Sequence, residues 1–234
     1  MPYFYYYDPT YFLVLIGVVL SLFASARVKS TFNKYSKMRN SRGMTGAQAA
    51  EQVLYSAGIR DVRIERVAGN LTDHYDPRSK VLRLSDSVYG QTSVAAVGVA
   101  AHECGHAIQH AKGYAPLKFR SVLVPVANFG AKICWPLILI GLLINSESSW
   151  LIMQIGILAF SLSVLFQIVT LPVEFNASGR AVRILADTGM MYGEEIVAAK
   201  KVLNAAALTY VAGAASAILQ LLRLILLAGG RRRR

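Results

Sequence analysis

The chain has 234 residues, 54% hydrophobic and only 16% charged, yet lysine plus arginine exceed aspartate plus glutamate by 25 − 13 = +12. An ordinary soluble domain carries about 25% charged residues, so this deficit excludes a disordered chain and a soluble nucleic-acid binder. An apolar chain with a basic excess points to membrane spans with positively charged flanks. Cys104 and Cys134 are too few for a disulfide framework.

The apolar residues are bunched. Pro9–Ala26 is an uncharged run of 18 residues, Ser121–Ser146 a run of 26 interrupted only by Lys132, Ser148–Val173 an uncharged 26, and Val202–Leu222 a further 21. A spanning helix needs about 20 mostly apolar residues, so three to four spans are expected. Ala24-Ser25-Ala26 resembles a cleavage site, but the first 26 residues hold no lysine or arginine. A secretory signal carries basic residues before its apolar run. Here Arg27, Lys29, Lys34, Lys37, Arg39 and Arg42 follow it instead, which reads as a retained anchor with its N-terminus outside. The Tyr3–Tyr7 run reads as an interfacial aromatic belt.

Between the first span and the next lies a polar segment. Gly46–Ala57 has helical spacing and Gly58 stops it. Val62–Val67 and Lys80–Ser85 alternate with a period of two, as half-buried strands do, and Asp76-Pro77-Arg78-Ser79 is a turn signal between them. Ser87–Ala101 is uncharged but too short to span, and reads as a buried helix leading into His102. The linker Asn145–Ser149 has no basic residue, so it reads as the external turn of a helical hairpin with both ends on the cytoplasmic side. The last apolar run is awkward. If it crosses, Arg231–Arg234 end outside, so a tilted, re-entrant or packed helix is expected there. The resulting organisation is an anchor over 1–26, a cytoplasmic catalytic segment over 27–118, a transmembrane hairpin over 119–173, a third-ligand helix over 174–201 and a C-terminal apolar helix with a basic tail over 202–234.

His102-Glu103-Cys104-Gly105-His106 is an H-E-x-x-H motif at the end of the predicted buried helix. Histidines at i and i+4 share a helix face about 6 Å apart, so both can reach one Zn²⁺. Glu103 stands where it can accept a proton from activated water. Gln109 and Lys112 exclude the metzincin pattern, which needs glycine and histidine there, and His110 is too far along the axis to share a metal with His102. A carboxylate remains. Glu174 is the lone acid between Glu147 and Asp187, where the returning hairpin helix emerges beside the motif. Cys104 reads as a small buried residue, and His74, in a turn-rich stretch, as a substrate-binding or transition-state candidate.

The H-E-C-G-H motif, Asp73-His74-Tyr75-Asp76-Pro77 and Val173–Ser178 resemble the YugP-like membrane zinc metallopeptidases over nearly the whole chain. The resemblance implies a gluzincin-type site with His102, His106 and Glu174 on zinc and Glu103 as general base. Glu174–Ala177 also resembles the E-x-x-A of the HtpX and CAAX-processing membrane proteases. Those carry aspartate at the next position, supporting a ligand histidine, where this chain has Ser178, with Asn176 nearby.

The expected protein is therefore a mainly α membrane protein with a small cytoplasmic α+β zincin-like catalytic part. It would be a multi-pass zinc endopeptidase of a bacterial plasma membrane, cutting peptides or membrane proteins near the cytoplasmic surface, with an extended substrate adding to an edge strand at Lys80–Ser85. Expected partners are the substrate, the lipid bilayer and a homo-oligomeric or regulatory membrane partner; no nucleic acid is expected. Two rivals are a non-catalytic zinc-stabilised scaffold, which would not require Glu103, and a zinc transporter. A transporter wants acidic groups at mid-membrane, whereas Lys132 and Arg223 are the charges found there.

Overall fold

A computed structural model describes residues 9–144 and 148–231. The aromatic belt at Tyr3–Tyr7, part of the Asn145–Ser149 linker and the tail beyond Arg231 lie outside the described residues. The element order is α1 (Tyr11–Tyr35), α2 (Gly46–Ser56), β1 (Arg63–Val67), β2 (His74–Asp76), β3 (Val81–Ser85), α3 (Val94–Ala111), α4 (Ala115–Leu143), α5 (Ser148–Asp187) and α6 (Glu194–Arg231). The chain is mainly helical with a small mixed sheet, as expected.

Among the described residues four helices, α1, α4, α5 and α6, are long and apolar enough to cross a membrane, against the three to four expected. No more than 28% of any of their apolar windows is covered by protein. Large side chains such as Phe23, Phe129, Leu139, Leu158 and Ile225 are exposed on them. In water that apolar area would be unfavourable at roughly 25 cal/mol per Å², whereas in lipid it costs nothing. Helix α5 has 40 residues, so at about 1.5 Å each it is about 60 Å long. That is twice the hydrocarbon thickness of about 30 Å, and the surplus turns, from Glu174 onward, carry polar groups.

The chain divides into two packed units, one made of 1–23, 120–169 and 210–234, the other of 24–119 and 170–209. In the first unit, Cys134 and Ile138 of α4, Met153 and Ile157 of α5, and Leu224 and Ala228 of α6 form an apolar cluster. Small residues let its helices approach: a β-carbon at Gly130 would lie 2.5 Å from the Ala159 carbonyl oxygen. Arg223, inside the apolar run, places its guanidinium 4.2 Å from the ring centre of Tyr11.

The second unit holds the sheet, α2 and α3 around one core that includes Val53, Leu82, Leu84, Val97, Ala100 and Leu185. Helix α2 starts at a capping box: Gln48 N–H donates to the Thr45 hydroxyl and Thr45 N–H donates to the Gln48 side-chain oxygen. It stops at Gly58, whose φ of +75° favours glycine. The sheet order is β1-β3-β2, with β1 parallel and β2 antiparallel to β3. Strand β3 is thus central, which corrects the expected edge strand at Lys80–Ser85. It also explains why Val81, Leu82, Leu84 and Ser85 are all buried rather than alternating. The available edges are β1 and β2. Helix α3 begins after the Ser93 cap and continues five residues beyond His106, so the motif lies within the helix rather than at its end.

Candidate metal centre

Helix α3 is apolar almost throughout, and Ala100, Ala101, Cys104, Ala107 and Ile108 are buried against the core. Burial pushes the Cys104 thiol well above its ordinary pKa, with Glu103 adding to it, and its Sγ donates to the Ala50 carbonyl. It is an inert packing residue. His102 and His106 emerge one turn apart on the face that meets α5. Their rings stand edge to face, with centres 4.8 Å apart.

Opposite them is Glu174 of α5, which is 2% exposed. One carboxylate oxygen, Oε2, lies 3.4 Å from His102 Nε2 and 3.5 Å from His106 Nε2. One ligand atom from each of the three residues lies within 4.8 Å of the others. Ligands about 2.0–2.2 Å from a tetrahedral zinc are about 3.3–3.6 Å apart. The two carboxylate–imidazole separations match that edge, and two imidazoles with one carboxylate are donors suited to zinc. Burial would hold the His106 imidazolium down. The Glu174 carboxylate, Glu103 and the Gln109 bond together raise its pKa instead, so the site favours positive charge. The residues fit the metal.

The outer nitrogens of both rings are also held. His102 Nδ1 is 3.0 Å from the Ser178 hydroxyl, one turn beyond Glu174. His106 Nδ1 is 3.1 Å from Gln109 Oε1 on its own helix. Gln109, fully buried, donates through Nε2 to the Val173 carbonyl at 2.8 Å and to Asn176 Oδ1 at 3.0 Å. The close approach of α3 to α5 depends on Gly105, where a β-carbon would lie 2.6 Å from the Ala177 carbonyl oxygen. Ala177 stands between Glu174 and Ser178 on α5.

Glu103 is half-buried, and among the described residues no hydrogen bond engages its carboxylate. His74 is not part of the triad. It lies exposed on β2, and its Nδ1 donates to the Thr72 carbonyl at 2.9 Å. His110 accepts or donates at 2.9 Å with the Tyr75 hydroxyl, tying edge strand β2 to the end of α3. Sequence reasoning missed Gln109, which entered only as a residue that excludes another pattern. A neutral polar side chain three residues after a candidate ligand histidine, on the buried stripe of an apolar helix, was the available signal.

Among the described residues, then, are four helices long and apolar enough to cross a membrane and a His–His–Glu cluster that could hold a metal ion. A family model described as "Putative neutral zinc metallopeptidase" matches residues 10–229, and the chain belongs to that family. It is 45% identical over 216 residues to "Putative membrane protease YugP" of Bacillus subtilis (strain 168), covering 92% of this chain and 95% of that relative. No solved structure matches the chain.

Proposed function

We propose that the protein is a zinc-dependent endopeptidase of gluzincin type, in which His102, His106 and Glu174 hold the metal and Glu103 is the general base. The matching tetrahedral edge at Glu174 Oε2 is the observation that carries this reading; family membership and the name of the relative support it. Bound there, zinc supplies Lewis acidity, polarising a peptide carbonyl and lowering the pKa of water. Glu103 takes a proton from the water that attacks the carbonyl carbon. It then delivers that proton to the amide nitrogen as the C–N bond breaks, so one acid group serves both halves of the reaction.

His74 has a narrower role than its residue type allows. Because Nδ1 donates to a carbonyl, the neutral ring carries no proton at Nε2. It can stabilise a developing oxyanion only as the imidazolium; neutral, it accepts a hydrogen bond from substrate. An extended peptide adding to the sheet would use the outer edge of β2, which carries His74 and Tyr75. The substrates are peptides or membrane proteins, cut near the cytoplasmic surface of a bacterial plasma membrane. The charge asymmetry about α1 supports that side.

Glu103→Gln separates this reading from a zinc-pinned scaffold. Purified protein is incubated with a proteome-derived peptide pool, with and without chelator, and read by mass spectrometry. Chelator-sensitive cleavage that drops by about 10²–10⁴-fold in Glu103→Gln, with zinc content unchanged, is expected. Undiminished cleavage by the variant would sink the mechanism, and loss of its zinc would sink the role given to Glu103.

A further inference from the structure

We propose that Gln109, Asn176 and Arg180 are positioning residues: a directed chain of hydrogen bonds, its polarity set by Arg180, holds His106 in the tautomer whose Nε2 lone pair faces Glu174. The proposal rests on the reading of His106 as a metal ligand. Arg180 Nε lies 2.7 Å from Asn176 Oδ1, and a guanidinium can only donate. The Asn176 atom at that position is therefore the carbonyl oxygen. The same oxygen lies 3.0 Å from one end of the Gln109 amide, so that end must be the donating NH₂. The Val173 carbonyl, 2.8 Å from the same nitrogen, demands a donor there independently. The other end of Gln109 is then an acceptor, and it lies 3.1 Å from His106 Nδ1. That nitrogen must carry a proton, so in the neutral ring the lone pair is on Nε2, the nitrogen 3.5 Å from Glu174 Oε2.

Burial makes this chain rigid. Gln109 is fully buried, so its amide has no water to turn toward, and reversing it would oppose its carbonyl to two other oxygens. The Arg180 guanidinium sits 5.8 Å from the centre of the Tyr114 ring, which restrains the outer end. His102 is held differently. Ser178 can donate or accept, so its bond to Nδ1 dictates no tautomer. Only His106 has its metal-facing nitrogen set in advance by the protein. Helix α5 thus supplies the acidic ligand through Glu174 and, through Asn176 and Arg180, orients a ligand carried by α3.

Two pairs of substitutions test this, with zinc affinity measured by chelator competition and the protonation of the His106 ring nitrogens by nitrogen-15 NMR of the zinc-loaded protein. Asn176→Asp keeps an acceptor for both of its donors, so affinity and the Nδ1–H signature of His106 are expected to stay. Asn176→Leu and Gln109→Leu release the amide or remove it. Zinc affinity is then expected to fall by about 10–100-fold, with Nε2–H appearing at His106. Leucine is bulkier than aspartate, so Asn176→Ala, smaller than either and also without an acceptor, is run beside them; losses shared by Asn176→Leu and Asn176→Ala but not by Asn176→Asp report the hydrogen bond, and keep the test usable if Gln109→Leu does not fold. Wild-type affinity and an unchanged nitrogen signature in Gln109→Leu, alongside loss of zinc in His106→Ala, would overturn the relay alone. Equal losses in Asn176→Asp and Asn176→Leu would do the same. If neither the wild-type protein nor His106→Ala binds zinc, the metal reading itself falls, and the relay's purpose with it.

Discussion

A methyl group at position 105 would lie 2.6 Å from the Ala177 carbonyl oxygen. Neither backbone can yield without moving Glu174 or Ser178 away from the histidines, because Ala177 sits between them on α5. Gly105→Ala is therefore expected to cost about 1–3 kcal/mol of stability by overpacking and to lower zinc occupancy as well. Thermal unfolding in detergent and metal analysis together check it. A variant with wild-type midpoint and full zinc would show that the helices are not held at this distance. Much of the site was legible one residue at a time. The i, i+4 histidines, the intervening glutamate and the single acid beyond the hairpin were all visible, because ligand chemistry restricts residue type. The reason for Gly105 was not, since it lies in a partner helix 72 residues away. Gln109 and Arg180 were hidden for the same reason: their meaning is a direction of hydrogen bonding, which appears only once four side chains from two helices meet.

At the scale of elements, the capping box at Thr45 and the glycine stop at Gly58 made α2 readable, because a helix carries its own end signals. The sheet was less so. Three residues are too few to show a period, so β2 passed as part of a turn, and without it β3 could not be recognised as central. The sheet's exposed end is tied by charge. Asp86 accepts from Gly69 N–H at 3.1 Å and from Arg66 Nε at 2.6 Å. The Gly69 bond first, and Arg66 after it, hold the Asp86 carboxyl below its ordinary pKa. A depressed carboxyl stabilises the fold above its unfolded value of about 3.9 and loses that contribution as pH falls through the folded value. Asp86→Asn is therefore expected to speed hydrogen exchange at the Gly69 amide at neutral pH. The gap from wild type, compared at matched pH, should close on acidification below about pH 4. A gap that persists unchanged in acid would show that the loop is held by packing rather than by this charge.

For the molecule as a whole, the expected side of the membrane rests on parity rather than on packing. Six basic residues, Arg27 to Arg42, follow the first apolar run and none precede it, which is the ground for expecting α1 to start outside. If α1, α4 and α5 each cross, the motif of α3 comes after one crossing and Glu174 after three, and the odd count at both is expected to put them on the same side. The last helix was expected to be tilted, re-entrant or packed, since a crossing strands its arginines outside. A re-entrant segment requires a break, and α6 is one unbroken helix of 38 residues, about 57 Å at about 1.5 Å each. That length exceeds the hydrocarbon core of about 30 Å, so a fourth crossing is the expectation. Single cysteines at Lys37, Ser148 and Gly229, probed in intact cells with a membrane-impermeant thiol reagent, test the whole arrangement. The native Cys104 and Cys134 are both buried and give little background. Lys37→Cys should be protected, while Ser148→Cys and Gly229→Cys should be labelled. Labelling at position 37 would overturn the cytoplasmic orientation of the site. Protection at position 229, with 148 still labelled, would instead show that α6 does not cross, and would leave His102, His106 and Glu174 on the same cytoplasmic side.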